Sequence, residues 1–119
     1  MLAVHDGAAA IRFYEDVFGA TEETKILSDD GKVAHCELRI GNAALMVADE
    51  FEGHNRAARR LGGTSVILYL DVDDADRVAR RAVSAGATLL RPVEPQPHGA
   101  RVGKIEDPFG HVWMVASEG

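Results

Sequence analysis

His35 and Glu37 stand two residues apart in a segment, Lys32 to Ile40, that alternates between apolar and polar residues. Such alternation marks a half-buried strand, on which side chains at i and i+2 share a face. An imidazole and a carboxylate on one face are candidates for general-base chemistry, given reach to a substrate and a suitable pKa. They are also two donors for a divalent ion, but two donors without a third make no metal site, and no His-Glu-x-x-His or Cys-x-x-Cys pattern supplies one. Cys36 lies between them and is expected on the opposite, helix-facing side, where a buried thiol is inert. Ser28, Ser65, Ser84 and Ser117 lack a Gly-x-Ser-x-Gly setting, and Gly62-Gly63 does not form a phosphate-binding loop. His5, beside Asp6, reads as part of a helix start, and His111 as a brace for the turn before it.

The elements that must position these residues come twice. Sliding the chain by about 67 positions lays Asp6 on Asp73, Ile11 on Val78, and the tripeptide Gly19-Ala20-Thr21 on Gly86-Ala87-Thr88. In the first copy a short strand ends at Asp6, which caps a helix with Ile11, Tyr14 and Phe18 on one face, and Gly19 stops it. Strands over Thr21–Ser28, Lys32–Ile40 and Ala43–Ala48 follow, the last two joined by the hairpin signal Gly41-Asn42. The second copy has a strand over Thr64–Val72 and a helix capped by Asp73 or Asp74, with Ala75, Val78, Ala82 and Ala85 inward. Further strands are expected over Thr88–Arg91, Ala100–Glu106 and His111–Ala116. The unit is therefore βαβββ, present as module one (1–48) and module two (64–119). Residues 49–63 read as a linker or a lid.

The 119 residues, 46% hydrophobic, suit one compact globular domain, and 13 basic against 19 acidic residues give a net charge of −6. That balance argues against nucleic acid as the main partner, and the cluster Arg77, Arg80 and Arg81 reads as a solvated helix face. The longest apolar run, Val66 to Leu70, is too short for a membrane span. A single cysteine allows no internal disulfide, and no leader is visible at Met1-Leu2-Ala3-Val4, so the expected location is the cytoplasm.

Ile11-Arg12-Phe13-Tyr14 followed by Phe18-Gly19-Ala20 resembles the first-helix signature of the vicinal oxygen chelate superfamily, the group of glyoxalase I, extradiol dioxygenases, fosfomycin-resistance enzymes and bleomycin-binding proteins. Asp107-Pro108-Phe109-Gly110-His111-Val112-Trp113 is similar to the closing signature of its PhnB-like branch, and Ala82 to Thr88 also fits. The resemblance spans about residues 2–117. It implies an α+β fold in which two βαβββ modules form a curled mixed sheet with a concave cleft, and a homodimer that builds its clefts from both chains. It also implies where metal ligands would fall: before Met1, at Met46, near Ile67 and at Met114. A thioether is soft and an alkyl chain coordinates nothing, so no metal and no cofactor is expected.

The expected lining is His35, Glu37 and Arg39 on the third strand and Ala44, Met46 and Ala48 on the fourth. It continues with Ser65, Ile67, Tyr69 and Asp71, and with Val112 and Met114. Arg101 is placed at the rim, where the branch commonly has arginine, with a surface salt bridge as the equal alternative. Phe51, Glu52, His54 and Asn55 could cover a ligand. An apolar floor with one aromatic ring and a few polar groups suits a bulky organic molecule. The leading expectation is a metal-free binding protein that sequesters a hydrophobic or aromatic natural product. The alternative is a lyase, isomerase or dioxygenase, with His35 or Glu37 as base or with relocated metal ligands.

Overall fold

A computed structural model describes residues 1–119 as two compact units, Met1–Gly63 and Thr64–Gly119. Both have the order strand, helix, three strands. In the first unit these are β1 (Leu2–Val4), α1 (Gly7–Phe18), β2 (Thr21–Leu27), β3 (Val33–Ile40) and β4 (Ala43–Asp49). A short helix α2 (Ala58–Leu61) follows. The second unit contains β5 (Ile67–Asp71), α3 (Ala75–Ser84), β6 (Thr88–Pro95), β7 (Ala100–Glu106) and β8 (Val112–Glu118). Each unit forms a mixed four-stranded sheet, in the orders β1-β4-β3-β2 and β5-β8-β7-β6, with the opening strand parallel to the last. The fold is α+β, and neither sheet closes into a barrel. No helix is long and apolar enough to cross a membrane.

In the first unit Asp6 caps α1, its carboxylate accepting the Ala9 N–H at 3.1 Å, and Gly19 ends the helix in the left-handed region at φ 69°. The helix buries Ile11, Tyr14, Val17 and Phe18 against Leu2, Val4, Cys36, Leu38 and Val47 of the sheet. Gly41-Asn42 joins β3 to β4 as a two-residue hairpin, with Gly41 alone at positive φ. That is the pattern of a type II′ turn.

A carboxylate ties three elements of this unit together. Asp49, at the end of β4, is buried and accepts the Gly7 N–H at 2.7 Å and the Val33 N–H at 2.6 Å. The second unit repeats the device with a hydroxyl, as Ser117 Oγ accepts the Ala75 N–H at 3.0 Å. Asp49 and Ser117 lie 68 positions apart, as do the helix caps Asp6 and Asp74. The true repeat over these elements is therefore 68, and α3 regains the 67-residue phase at Gly86 by being shorter than α1.

Gly7 leaves no room for a methyl group, since an added Cβ would lie 2.7 Å from Asp49 Oδ2 and 2.9 Å from Val33 Cβ. Alanine is the better helix former, yet Gly7→Ala is expected to lose about 1–3 kcal/mol, because overpacking outweighs propensity here. Urea unfolding of the variant checks the sign.

Four details of the strand and helix reading change. Buried positions on β3 run Val33, Cys36, Leu38 and Ile40, with Ala34 exposed. A bulge opposite Ile26–Leu27 inserts one residue and breaks the alternation. Asp74 rather than Asp73 caps α3, so Ala75, Ala79 and Ala82 turn inward, while Val78 is half-buried and Ala85 exposed. Strand β5 starts at Ile67 instead of Thr64, because its partner β8 begins at Val112, opposite Ile67. Strand β6 runs on to Pro95, past the expected end at Arg91. It is an edge strand, where Pro92 and Pro95 need donate nothing to a ladder.

Segment 49–63 is anchored in the first unit. Asn55 accepts the Phe51 N–H at 2.6 Å and donates to the Asp49 carbonyl at 3.1 Å, and Glu50 accepts from Ala57 N at 2.9 Å and Arg60 Nε at 2.6 Å.

Candidate functional site

Each sheet has one face under its helix and one turned away from it, and residues paired in register share a face. In the first unit the outward face carries His35, Glu37 and Arg39 on β3. Opposite Glu37 is Met46, and opposite Arg39 is Ala44, on β4. Thr24 and Ile26 of β2 continue the rows on the other side of β3. His35 and Glu37 are half-buried, and Arg39 is exposed and paired with Glu23 at 2.8 Å. Met46 is 40% exposed and Ile26 54%. Ala48 shares the face but is buried.

In the second unit Ile67 pairs with Val112, Tyr69 with Met114 and Asp71 with Ala116. Ile67, Tyr69, Val112 and Met114 form an outward apolar stripe, with Ile67 50% and Tyr69 55% exposed, while Asp71 is an exposed carboxylate at its end and Ala116 is buried. On β7 the same face shows Lys104 opposite Met114 and Glu106 opposite Val112. Lys104 and Glu106 were legible in the alternation of Ala100–Glu106 but were not singled out in it. Trp113 and Val115 are buried on the helix side.

The structure thus brings His35, Glu37, Arg39 and Met46 onto one face of the first unit, and Ile67, Tyr69 and Met114 onto one face of the second. Arg101 does not join them. It pairs with Ser117 on the helix side of the sheet, and its guanidinium is bound by both carboxylate oxygens of Asp76 on α3, at 2.9 and 3.0 Å. The salt-bridge alternative is the one observed, because the helix presents a carboxylate above that strand position.

The Arg101 guanidinium holds the Asp76 carboxyl below its ordinary value. A carboxyl lowered by folding adds stability above its ordinary range near pH 4, and that contribution disappears as pH falls through the lowered value. Asp76→Asn is therefore expected to flatten this part of the acid limb of stability and to leave binding on the outward face unchanged. Both side chains are partly open to water, so the effect is small. Acid titration followed by circular dichroism reads it.

Phe51 and His54 lie beyond the end of the first sheet. Lys32 Nζ sits 4.4 Å from the centre of the Phe51 ring and donates to the Glu50 carbonyl at 2.6 Å. His54, Arg56 and Arg60 border a surface hollow of about 710 Å³ there, which includes none of the outward-face residues.

The positions the resemblance assigns to metal ligands hold Met46, Ile67 and Met114, and their donor chemistry does not fit a resident divalent ion. No group of three or more His, Cys, Asp or Glu side chains is placed to hold one. Cys36 is fully buried on the helix side, and burial pushes its thiol above its ordinary value, away from nucleophilic chemistry.

A model of the Glyoxalase/Bleomycin resistance protein/Dioxygenase superfamily matches residues 1–115. An uncharacterised protein of Mycobacterium bovis is 40% identical over 118 residues, which is 96% of this chain and 78% of that protein. The crystal structure of TioX from Micromonospora sp. ML1 is similar with a TM-score of 0.77 and 27% identity, covering 98% of this chain and 94% of that one. The PhnB protein of Bacillus cereus shares the fold, with a TM-score of 0.76 at 20% identity over 98% of this chain and 95% of its own.

Proposed function

The chain belongs to the Glyoxalase/Bleomycin resistance protein/Dioxygenase superfamily, and from that premise we propose that it is a small-molecule binding protein. It holds a hydrophobic or aromatic organic compound against its outward sheet faces, without a metal ion, and sequesters it unaltered. The observation that carries the reading is the exposure of Met46 and Ile67, at or near positions where metal-dependent relatives are expected to place hard ligands, with Tyr69 exposed beside Ile67 on the same strand face. Large apolar side chains exposed together, as Ile67 and Tyr69 are in the second unit, mark a surface that meets something else. Methionine adds a deformable, polarisable floor that packs well against aromatic rings.

The experiment is equilibrium dialysis of the protein against bleomycin and a panel of planar aromatic compounds, with recovery of the bound compound for mass analysis. Tight binding with the compound unchanged is the expected result. Recovery of an altered compound would sink sequestration. It would favour the second reading, an enzyme using His35 or Glu37 as general base, which their half-buried position beside Met46 supports. In that case His35→Ala and Glu37→Ala would abolish turnover.

The proposed working form is a homodimer, since a second copy would cover apolar surface that one chain leaves in water. A concentration-independent monomer in sedimentation velocity would remove that part of the proposal.

A further inference from the structure

The register of the second sheet sets two cations side by side. Lys104 on β7 lies directly opposite Arg91 on β6, and on its other side directly opposite Met114 on β8. Like charges directly opposite in an antiparallel pair destabilise it, so such a pair calls for a compensating anion. Glu106 is the next outward residue along β7 and Glu94 stands opposite Val102, the preceding one, yet neither forms an ion pair with Lys104 or Arg91. Register shifts flank Arg91 on both sides, so its pairing with Lys104 is an isolated rung of the ladder. Bulges re-aim side chains locally.

Lys104 is half-buried next to the apolar stripe of Tyr69 and Met114. A molecule laid on that stripe would strip water from the ammonium group, and a buried charge without a partner is costly. An apolar ligand without charge would therefore be penalised here, whereas one carrying an acid would gain a charge-assisted contact.

We propose that the outward face of the second unit recognises an organic anion: an aromatic or apolar body lying on Tyr69 and Met114, with a carboxylate, sulfonate or phosphate group held by Lys104 and Arg91. The inference rests on the ligand-binding reading above and narrows its ligand class.

Three probes with one aromatic body test it: pyrenebutyrate, pyrenebutanol and pyrenebutylamine, titrated by fluorescence anisotropy at low and high salt. The anion is expected to bind roughly tenfold more tightly than the alcohol at low salt. That preference should shrink as salt rises. It should fall to near unity in Lys104→Met, and Arg91→Leu should reduce it too. Both sites are at least partly open to water, and thermal unfolding of each variant verifies that it folds. Equal binding of anion and alcohol, or a preference for the amine, overturns this inference while leaving the binding function standing. Failure of all three probes to bind overturns both.

Discussion

Replacing Asp107 by alanine is expected to lower the stability of the fold by about 3–5 kcal/mol, the largest loss of any single side chain considered in this chain. Asp107 is 1% exposed. One carboxylate oxygen accepts the Phe109 N–H at 2.9 Å and the His111 N–H at 3.0 Å, and the other accepts Trp113 Nε1–H at 2.9 Å. The main chain of the same residue closes the turn, with Asp107 N donating to the His111 carbonyl at 2.8 Å. Alanine keeps that main-chain bond but leaves three donors, all in buried residues, without this charged acceptor, and the desolvation cost of each is then uncompensated.

Asp107→Asn separates charge from geometry. Its amide can accept the two backbone donors, but it then turns an NH2 group toward Trp113, so an intermediate loss is expected. Trp113→Phe should lose less than Asp107→Ala, and the double variant should show non-additivity, because the two residues share a hydrogen bond. Thermal unfolding reads all of these, with a fall on the order of 10 °C for Asp107→Ala. A change below about 1 kcal/mol would mean that the turn is held by its main chain alone. The motif Asp-Pro-Phe-Gly-His-Val-Trp is thus a structural clasp that sets the start of β8, and through it the position of Met114.

Tyr69→Ala combined with Met114→Ala is expected to weaken binding of a planar aromatic compound by at least about a hundredfold, from roughly 1.5–3 kcal/mol for each large side chain whose contact is lost. The same pair should change stability by little, because Tyr69 is 55% exposed and neither side chain lies on the helix-facing core. Asp107→Ala lowers stability without changing a side chain of the outward face, whereas the Tyr69→Ala, Met114→Ala pair changes that face and leaves the clasp in place. Titration calorimetry with pyrenebutyrate measures the first quantity and urea unfolding the second. A binding loss matched by an equal loss of stability would count against the outward face as the binding surface.

The secondary structure was legible wherever a local signal coincided with the pairing partner's own limits. Asp6 acts through its carboxylate on a helix N–H three residues on, and Gly19 and Gly41-Asn42 through their own backbones, so they read correctly from the chain alone. Strand alternation placed Glu37 with Met46, and Tyr69 with Met114, because the period of two leaves little choice once one face is buried. The departures arise where partners decide. Thr64 to Val66 has strand-like residues but no β8 residue to pair with. A bulge against the neighbouring strand buries Val33 and exposes Ala34, which simple alternation with Cys36, Leu38 and Ile40 would turn inward. The Asp73-Asp74 pair offers two caps one residue apart, and with Asp74 as the cap α3 keeps Ala75 and Ala82 inward but buries Ala79 in place of Val78 and Ala85.

The outward faces proposed as the site were legible to the extent that they follow from alternation, which gave the rows containing His35, Glu37, Met46, Ile67, Tyr69 and Met114. For Arg101 the chain alone left rim and salt bridge as equal alternatives, because its partner, Asp76, lies 25 residues away and only the packing of α3 on the sheet brings the two together. The pairing of Lys104 with Arg91 was hidden for a similar reason. It depends on two register shifts in β6 that no local pattern announces.

The most direct test of the account is thermal unfolding of the metal-stripped protein with pyrenebutyrate on one side and with Ni, Zn, Mn, Fe(II) and Co on the other. A molecule that binds only the folded state stabilises it by RT ln(1 + [L]/Kd), about 2.7 kcal/mol at a hundredfold excess over Kd. The expected result is an upward shift that grows with pyrenebutyrate concentration, is lost in the Tyr69→Ala, Met114→Ala variant, and has no counterpart with any of the ions. A large shift with one ion and none with the aromatic probe would contradict the account and return the chain to the metal-dependent members of its superfamily.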